Sequence, residues 1–208
     1  MPSDSPPRGT ARSRLLDAAI ALIREQGFAA TSVDDLCARA GVTKGAFFHH
    51  FASKDALGAA TADHWRENTG ALFAAAPYHA PEDPLDRILA YLDLREALLA
   101  GTVPEYTCLA GTLLQEIHAT TPDIAAAAWQ AIDSHIRTLE PDFVAALARH
   151  GTPGAPDALS LARLTQSVLQ GAFILAKGEG RPDAALEGID HLRRYFRCLF
   201  SRREEPHP

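Results

Sequence analysis

The chain has 208 residues, 47% hydrophobic, 7% aromatic and 22% charged, with a formal net charge of −6. That apolar share supports a packed core and excludes a disordered chain, and the abundance of alanine over β-branched residues favours helix. No uninterrupted apolar run reaches the roughly 18 residues of a bilayer span. The N-terminus MPSDSPPRGTARSR lacks the apolar centre of a signal peptide, so a cytoplasmic protein with no membrane partner is expected.

Prolines and glycines cut the chain into helical blocks. Residues 10–26 place Leu15, Leu16, Ala19, Leu22 and Ile23 at helical spacing and end at Gly27. Ser32 caps the next helix, with Asp35 three residues on as a capping box. That helix runs to about Ala40, where Gly41 supplies a turn. Thr43 then caps a helix from about Lys44 to His50, and Ser53 caps a long one from about Lys54 to near Pro77. Further helices are predicted at about 84–100, 105–119, 123–150, 157–177 and 183–201. Pro141 should kink or split the third of these. The fold class is all-α with about nine helices. Residues 1–55 read as a small helical head with a basic N-terminal arm, and 56–208 as a larger helical body.

The stretch Thr31 to Asp55, TSVDDLCARAGVTKGAFFHHFASKD, carries the functional signal. Its second short helix is too small to stand alone. Helical geometry puts Phe47 and Phe51 on one side, with Lys44 and Phe48 at the border. Gly45, Ala46, His49 and His50 point the other way. Small residues at 45 and 46 admit the backbone to a groove floor, the Ala46 methyl suits a thymine methyl, and the imidazoles suit base edges or phosphates. Thr31, Ser32, Thr43 and Lys44 sit at helix N-termini, where backbone N–H groups attract phosphate, and Lys54 holds a similar place on the fourth helix. Charge is distributed to match. Residues 1–60 carry 7 Lys+Arg against 6 Asp+Glu, a balance of +1, whereas the rest of the chain balances at −7. Arg8, Arg12 and Arg14 make the N-terminal arm basic, so an acidic body is repelled by DNA everywhere but at the head.

Residues 10–57, from the LLDAA of the first helix through GF, TSV, AGV, KG and HF to SKD, resemble the N-terminal domain of the TetR/AcrR family of bacterial transcriptional regulators. The rest of the chain resembles that family in layout only. The resemblance implies phosphate contacts from Thr31 and Thr43. Lys44, Gly45, Ala46 and His49 would face the groove, His50 would touch a phosphate, and Lys54 would anchor the fourth helix. The family usually has Tyr where this chain has Phe48, so a hydroxyl contact to phosphate is lost there. The implied function is a homodimeric repressor on a palindromic double-stranded operator, released by a small-molecule effector or by thiol modification. A helical ligand-binding protein or enzyme without DNA binding is the alternative; no GxSxG, HExxH or P-loop supports the enzyme.

Trp65, Phe73, Tyr91, Leu94, Leu109, Leu113, Trp129 and Phe173 could wall an effector pocket or simply form core. Cys108 lies near a helix start, where a thiol is activated. Lys177 is the one lysine beyond the head, so the pair could form a redox or electrophile sensor; an inert buried cysteine is the plain alternative. Leu161, Leu164, Val168, Gly171, Ala172 and Leu175 form one apolar stripe, and Leu186, Ile189, Leu192, Phe196 and Leu199 another. The family pairs these two helices with their symmetry mates, although part of each stripe must serve the core. The nine histidines and three cysteines show no ligand spacing, so no metal and no cofactor is expected.

Overall fold

The computed structural model describes residues 9–151 and 153–200. Arg8 of the expected basic arm lies outside them. The described residues form ten α-helices and one 3-10 turn, with no strand. In chain order these are α1 (Ala11–Gln26), α2 (Val33–Ala40), α3 (Lys44–His50), α4 (Lys54–Ala74), the turn Pro77–His79, α5 (Pro84–Ala97), α6 (Val103–Tyr106), α7 (Leu109–Ile117), α8 (Pro122–His150), α9 (Ala158–Glu179) and α10 (Asp183–Phe200).

The all-α expectation stands, with two local corrections. The helix predicted at about 105–119 is two helices, because Thr107 and Cys108 adopt extended backbone. Cys108 is an N-cap: its Sγ accepts the Gly111 N–H at 3.4 Å and so starts α7. Pro141 does not split α8, which runs through it for 29 residues. Proline removes one amide donor there, but its fixed φ is itself helical.

By packing, the chain divides into two units that are discontinuous in sequence. The head unit is Met1–Gly70 with Cys108–Ile132, and the body unit is Ala71–Thr107 with Asp133–Pro208. Thus α7 and the start of α8 belong with α1–α4, although the sequence assigned everything after residue 55 to the body.

The head unit has one core. Leu15, Leu16, Leu22 and Ile23 of α1 meet Leu36 and Cys37 of α2, Phe47 of α3, Leu57 of α4, Leu109, Leu113 and Ile117 of α7, and Ile124 of α8. Each fully buried Leu, Ile or Phe contributes about 1.5–3 kcal/mol relative to exposure. The seven-residue α3 is therefore held by its neighbours rather than by its own propensity.

In the body unit α9 packs on α10, and α10 on α5. Leu161, Ile189, Leu192 and Phe196, offered above as dimer contacts, are core residues here. They occupy the inward face of each helix, and the sequence stripe could not tell inward from outward. The apolar residues left outside are Leu164, Ile174 and Leu175 on α9, and Leu186 and Tyr195 on α10. Val168 is half-buried. This two-sided apolarity explains why α9 is long and apolar enough, by length and composition, to cross a membrane; 44% of that window is buried. It holds no long uninterrupted apolar run, because Ser160, Arg163, Thr165, Gln166, Ser167 and Gln170 interrupt it, of which Thr165 and Gln166 are themselves buried.

Candidate nucleic-acid interface

The local chemistry of α2 and α3 leaves little freedom in how α3 is presented. Ser32 Oγ accepts the Asp35 N–H at 3.1 Å, and Asp35 Oδ2 accepts the Ser32 N–H at 3.0 Å, closing a capping box on α2. Such a cap contributes about 1 kcal/mol. The far end of α2 turns at Gly41, whose φ of 62° and ψ of 44° are left-handed. There the Val42 N–H returns to the Cys37 carbonyl at 3.0 Å. A side chain at 41 would carry the strain of that conformation. Arg14 of α1 reinforces the turn, donating to the carbonyls of Ala40 at 3.1 Å and Gly41 at 3.3 Å. Two residues later Thr43 Oγ1 accepts the Ala46 N–H at 3.1 Å and starts α3.

With Phe47 and Phe51 buried, the opposite face of α3 is turned out. Lys44, Gly45, Phe48, His49 and His50 are exposed and Ala46 is half-buried. Phe48 is 57% exposed and lies edge-on to Phe47 at 5.1 Å. The two imidazoles stand edge to face at 4.9 Å. Gly45 is informative. A Cβ there would meet only Thr43 Oγ1, at 3.7 Å, and the residue is helical. The fold gains nothing from glycine at this position and loses about 1 kcal/mol against alanine.

Lys44 reaches back to Asp34 of α2, Nζ to Oδ1 at 2.7 Å, with both side chains more than half exposed. The pair raises the lysine's pKa through that hydrogen bond and charge. A pair so exposed contributes at most about 1 kcal/mol, so a phosphate can displace the carboxylate. Arg12 is exposed on the first turn of α1 and lies over the Phe51 ring at 5.5 Å. Thr43 is exposed, and its capping role uses only its acceptor.

Three expected contacts are corrected. Thr31 is 1% exposed, and its hydroxyl donates to the Gly27 carbonyl at 2.7 Å, so it locks the α1–α2 turn and does not face solvent. Ser32 is exposed, but its hydroxyl proton goes to Asp35 Oδ2 at 2.6 Å. Lys54 donates to the carbonyls of Phe28 and Thr31, each at 3.1 Å, and lies 4.5 Å over the Phe28 ring. With a longer contact to the Ala29 carbonyl at 3.5 Å, its ammonium ties α4 to the α1–α2 turn through all three N–H donors and leaves none for a phosphate.

One participant was invisible in the sequence. Glu116, near the end of α7, accepts the N–H groups of Phe28 at 2.6 Å and Ala29 at 2.8 Å. Its carboxylate thereby closes the turn that Thr31 and Lys54 also hold. Only the 88-residue separation hid it, since nothing local marks a surface glutamate as a long-range clamp.

The expected pocket residues fall into two groups. In the head unit Leu109 and Leu113 are fully buried core, Trp65 is half-buried beneath Arg24 at 5.0 Å, and Trp129 is 50% exposed on α8. Trp129 therefore walls no closed pocket. Cys108 is half-buried at its cap. In the body unit Phe73, Tyr91 and Phe173 are buried, and Lys177 is exposed in the last turn of α9, where its charge complements the helix C-terminus.

Residues 15–61 match the family described as bacterial regulatory proteins, tetR family. Over 182 residues the chain is 28% identical to the transcriptional regulator AcuR of Cereibacter sphaeroides, covering 88% of this chain and 83% of that protein. It is 43% identical over 74 residues to the HTH-type transcriptional repressor Rv3405c of Mycobacterium tuberculosis, covering 35% of this chain and 39% of that protein. The crystal structure of a regulatory protein TetR from Rhodobacter sphaeroides superposes with a TM-score of 0.80 at 27% identity, covering 93% of this chain and all of that one.

Proposed function

The chain belongs to the TetR family of bacterial transcriptional regulators, and on that premise we propose that it is a homodimeric repressor whose α3 reads a palindromic operator and which lets go when an effector binds its body. The observation that carries this reading is the outward face of α3: a glycine the fold does not need, a half-buried alanine, and imidazoles in solvent. The DNA-reading set is Arg12, Thr43, Lys44, Gly45, Ala46, Phe48, His49 and His50. Phe48 contributes an apolar contact in place of a hydroxyl.

One head is a small interface, and two heads on a twofold axis read two half-sites a helical turn apart. The outward residues Leu164, Ile174 and Leu175 of α9, with Leu186 and Tyr195 of α10, supply an apolar surface for that pairing. Release then passes through α7. Its Glu116 holds the turn that precedes α2, so a small displacement of α7 withdraws two hydrogen bonds from the base of the helix-turn-helix. An effector achieves this only by favouring one arrangement over the other.

A second trigger is favoured by a specific contact. The Cys108 thiol is the N-cap of α7, accepting the Gly111 N–H, and it is half-exposed. Alkylation or oxidation of that sulfur removes the cap at one end of the helix whose other end carries Glu116.

The test is titration of a duplex recovered from a random library by the full chain, across a salt series, with mass measured by analytical ultracentrifugation. A dimer that binds with steep salt dependence and retains one palindromic sequence is the expected result. A monomer with no sequence preference would refute the proposal. For the thiol trigger, Cys108→Ser keeps a competent cap and should leave DNA binding intact while abolishing its loss after N-ethylmaleimide treatment.

A further inference from the structure

The body unit contains a polar cluster that the DNA-reading head does not use. Tyr91 and Arg95 of α5, Phe73 at the end of α4, His135 of α8, and Gln166 and Phe173 of α9 converge on it. Gln166 Nε2 donates to the Tyr91 hydroxyl at 3.1 Å, and that hydroxyl is hydrogen-bonded to His135 Nε2 at 2.8 Å. The His135 ring lies 4.4 Å from Phe73. Burial, assisted by the nearby Arg95 charge, lowers the imidazole pKa to about 3 and keeps it neutral. Gln166 and His135 are thus joined through the Tyr91 hydroxyl.

Arg95 is different. Its guanidinium carbon lies over Phe73 at 5.5 Å and over Phe173 at 5.6 Å. It also bonds towards Tyr91, where it opposes the rise in phenol pKa that burial causes. Ring contacts use the faces of a guanidinium and leave its edge, which carries five N–H donors. Among the described residues no carboxylate pairs with it. The acids beside it in sequence, Asp93 and Glu96, both go to Arg193 at 2.8 Å, and Asp142 goes to Arg87 at 2.6 Å. The C-terminus of α5 offsets part of the charge, by about 0.3–1 kcal/mol. This half-buried cation between aromatic rings, paired with no carboxylate among the described residues, keeps N–H donors that match an anionic oxygen.

We propose that this cluster binds a small monocarboxylate with a flat, apolar body. One guanidinium fork matches one carboxylate in a bidentate pair. The buried rings of Phe73, Phe173 and Tyr91 give the guanidinium apolar surroundings, which suit an apolar remainder. A phosphate dianion would need donors beyond this single fork, and the neutral imidazole with its tyrosine partner supplies no second charge. A cationic ligand is repelled by Arg95. The regulatory meaning of the site rests on the repressor reading above, because it names the class of effector; binding itself does not.

The probes are sodium benzoate and sodium butyrate, each against its amide, titrated calorimetrically into the full chain at fixed ionic strength. The expected result is saturable binding of at least one carboxylate, at least about tenfold tighter than its amide. Arg95→Gln should weaken it about 10- to 100-fold, the loss of a charge-assisted hydrogen-bonded pair. Arg95→Lys should recover part of the affinity, because the charge remains without the fork. If Arg95→Gln does not fold, the carboxylate-to-amide ratio on the unaltered chain decides. The proposal is overturned if neither carboxylate binds, if the amides bind as well, or if folded Arg95→Gln retains full affinity. A duplex-release assay on the same samples separates the two readings. Arg95-dependent binding that leaves the DNA complex intact upholds the site and ends its role as effector site. A ligand-free chain that ignores DNA ends the repressor reading alone.

Discussion

The outer face of α3 and the Arg95 cluster of the body show two opposite ways in which a helical protein displays function. On α3 the signal is exposure of residues that packing does not require. Gly45 weakens the helix although a Cβ there would meet only Thr43 Oγ1, and Phe48 leaves a large ring in solvent. In the body the signal is polarity where packing should be apolar: a neutral imidazole, a buried amide and an acid-free guanidinium among aromatic rings. A surface site is recognised by what the fold leaves unused, and an interior site by polar groups that the fold must accommodate.

The sharpest break in this comparison lies within α3 itself. Phe47→Ala should lower the stability of the head by about 3–5 kcal/mol, the range for emptying an aromatic site in a core, measured by urea unfolding. Its neighbour Phe48→Ala should change stability by less than about 0.5 kcal/mol. Equal effects would mean that the two faces are not distinct. Next in size is the clamp on the α1–α2 turn. Glu116→Ala leaves two amides without their acceptor and should cost about 1–3 kcal/mol, with faster hydrogen exchange at Phe28 and Ala29; unchanged exchange there would remove α7 from the account.

The body should be the more acid-sensitive region through His135. Its folded pKa is about 3 against an ordinary value of 6.5. Between those values the unfolded chain takes up a proton that the folded chain refuses. Stability is therefore full above about 6.5 and falls as pH drops towards 3, by up to about 1.4 kcal/mol per pH unit. His135→Asn should flatten that slope in unfolding curves taken at successive pH values. The smallest expected effect is electrostatic. Lys44→Ala should hardly change stability, yet lower the slope of log affinity against log salt by about 1 per contacting head.

The same contrast explains what could be read from the sequence. The helix-turn-helix was legible because its signals are local: Ser32 with Asp35, Gly41 in its turn, and Thr43 with Ala46 all act within three residues. The phosphate role expected of Thr31 failed because the residue's position before α2 says nothing of its burial. Glu116 and Arg95 were missed because their meaning lies in partners supplied by distant segments. The apolar stripes of α9 and α10 were correctly seen but could not be divided into inward and outward halves. Leu161 and Leu164 are three residues apart on one helix, yet one is sealed and the other open.

The central claim is that the open space above Gly45 is reserved for the floor of a DNA groove. Its most direct test is Gly45→Leu, with unfolding free energy and affinity for the selected duplex measured on the same preparation. The account predicts a protein at least as stable as the parent whose operator affinity drops by at least about 100-fold, roughly 2.7 kcal/mol. A folded Gly45→Leu protein that binds the duplex as tightly as the parent would contradict it.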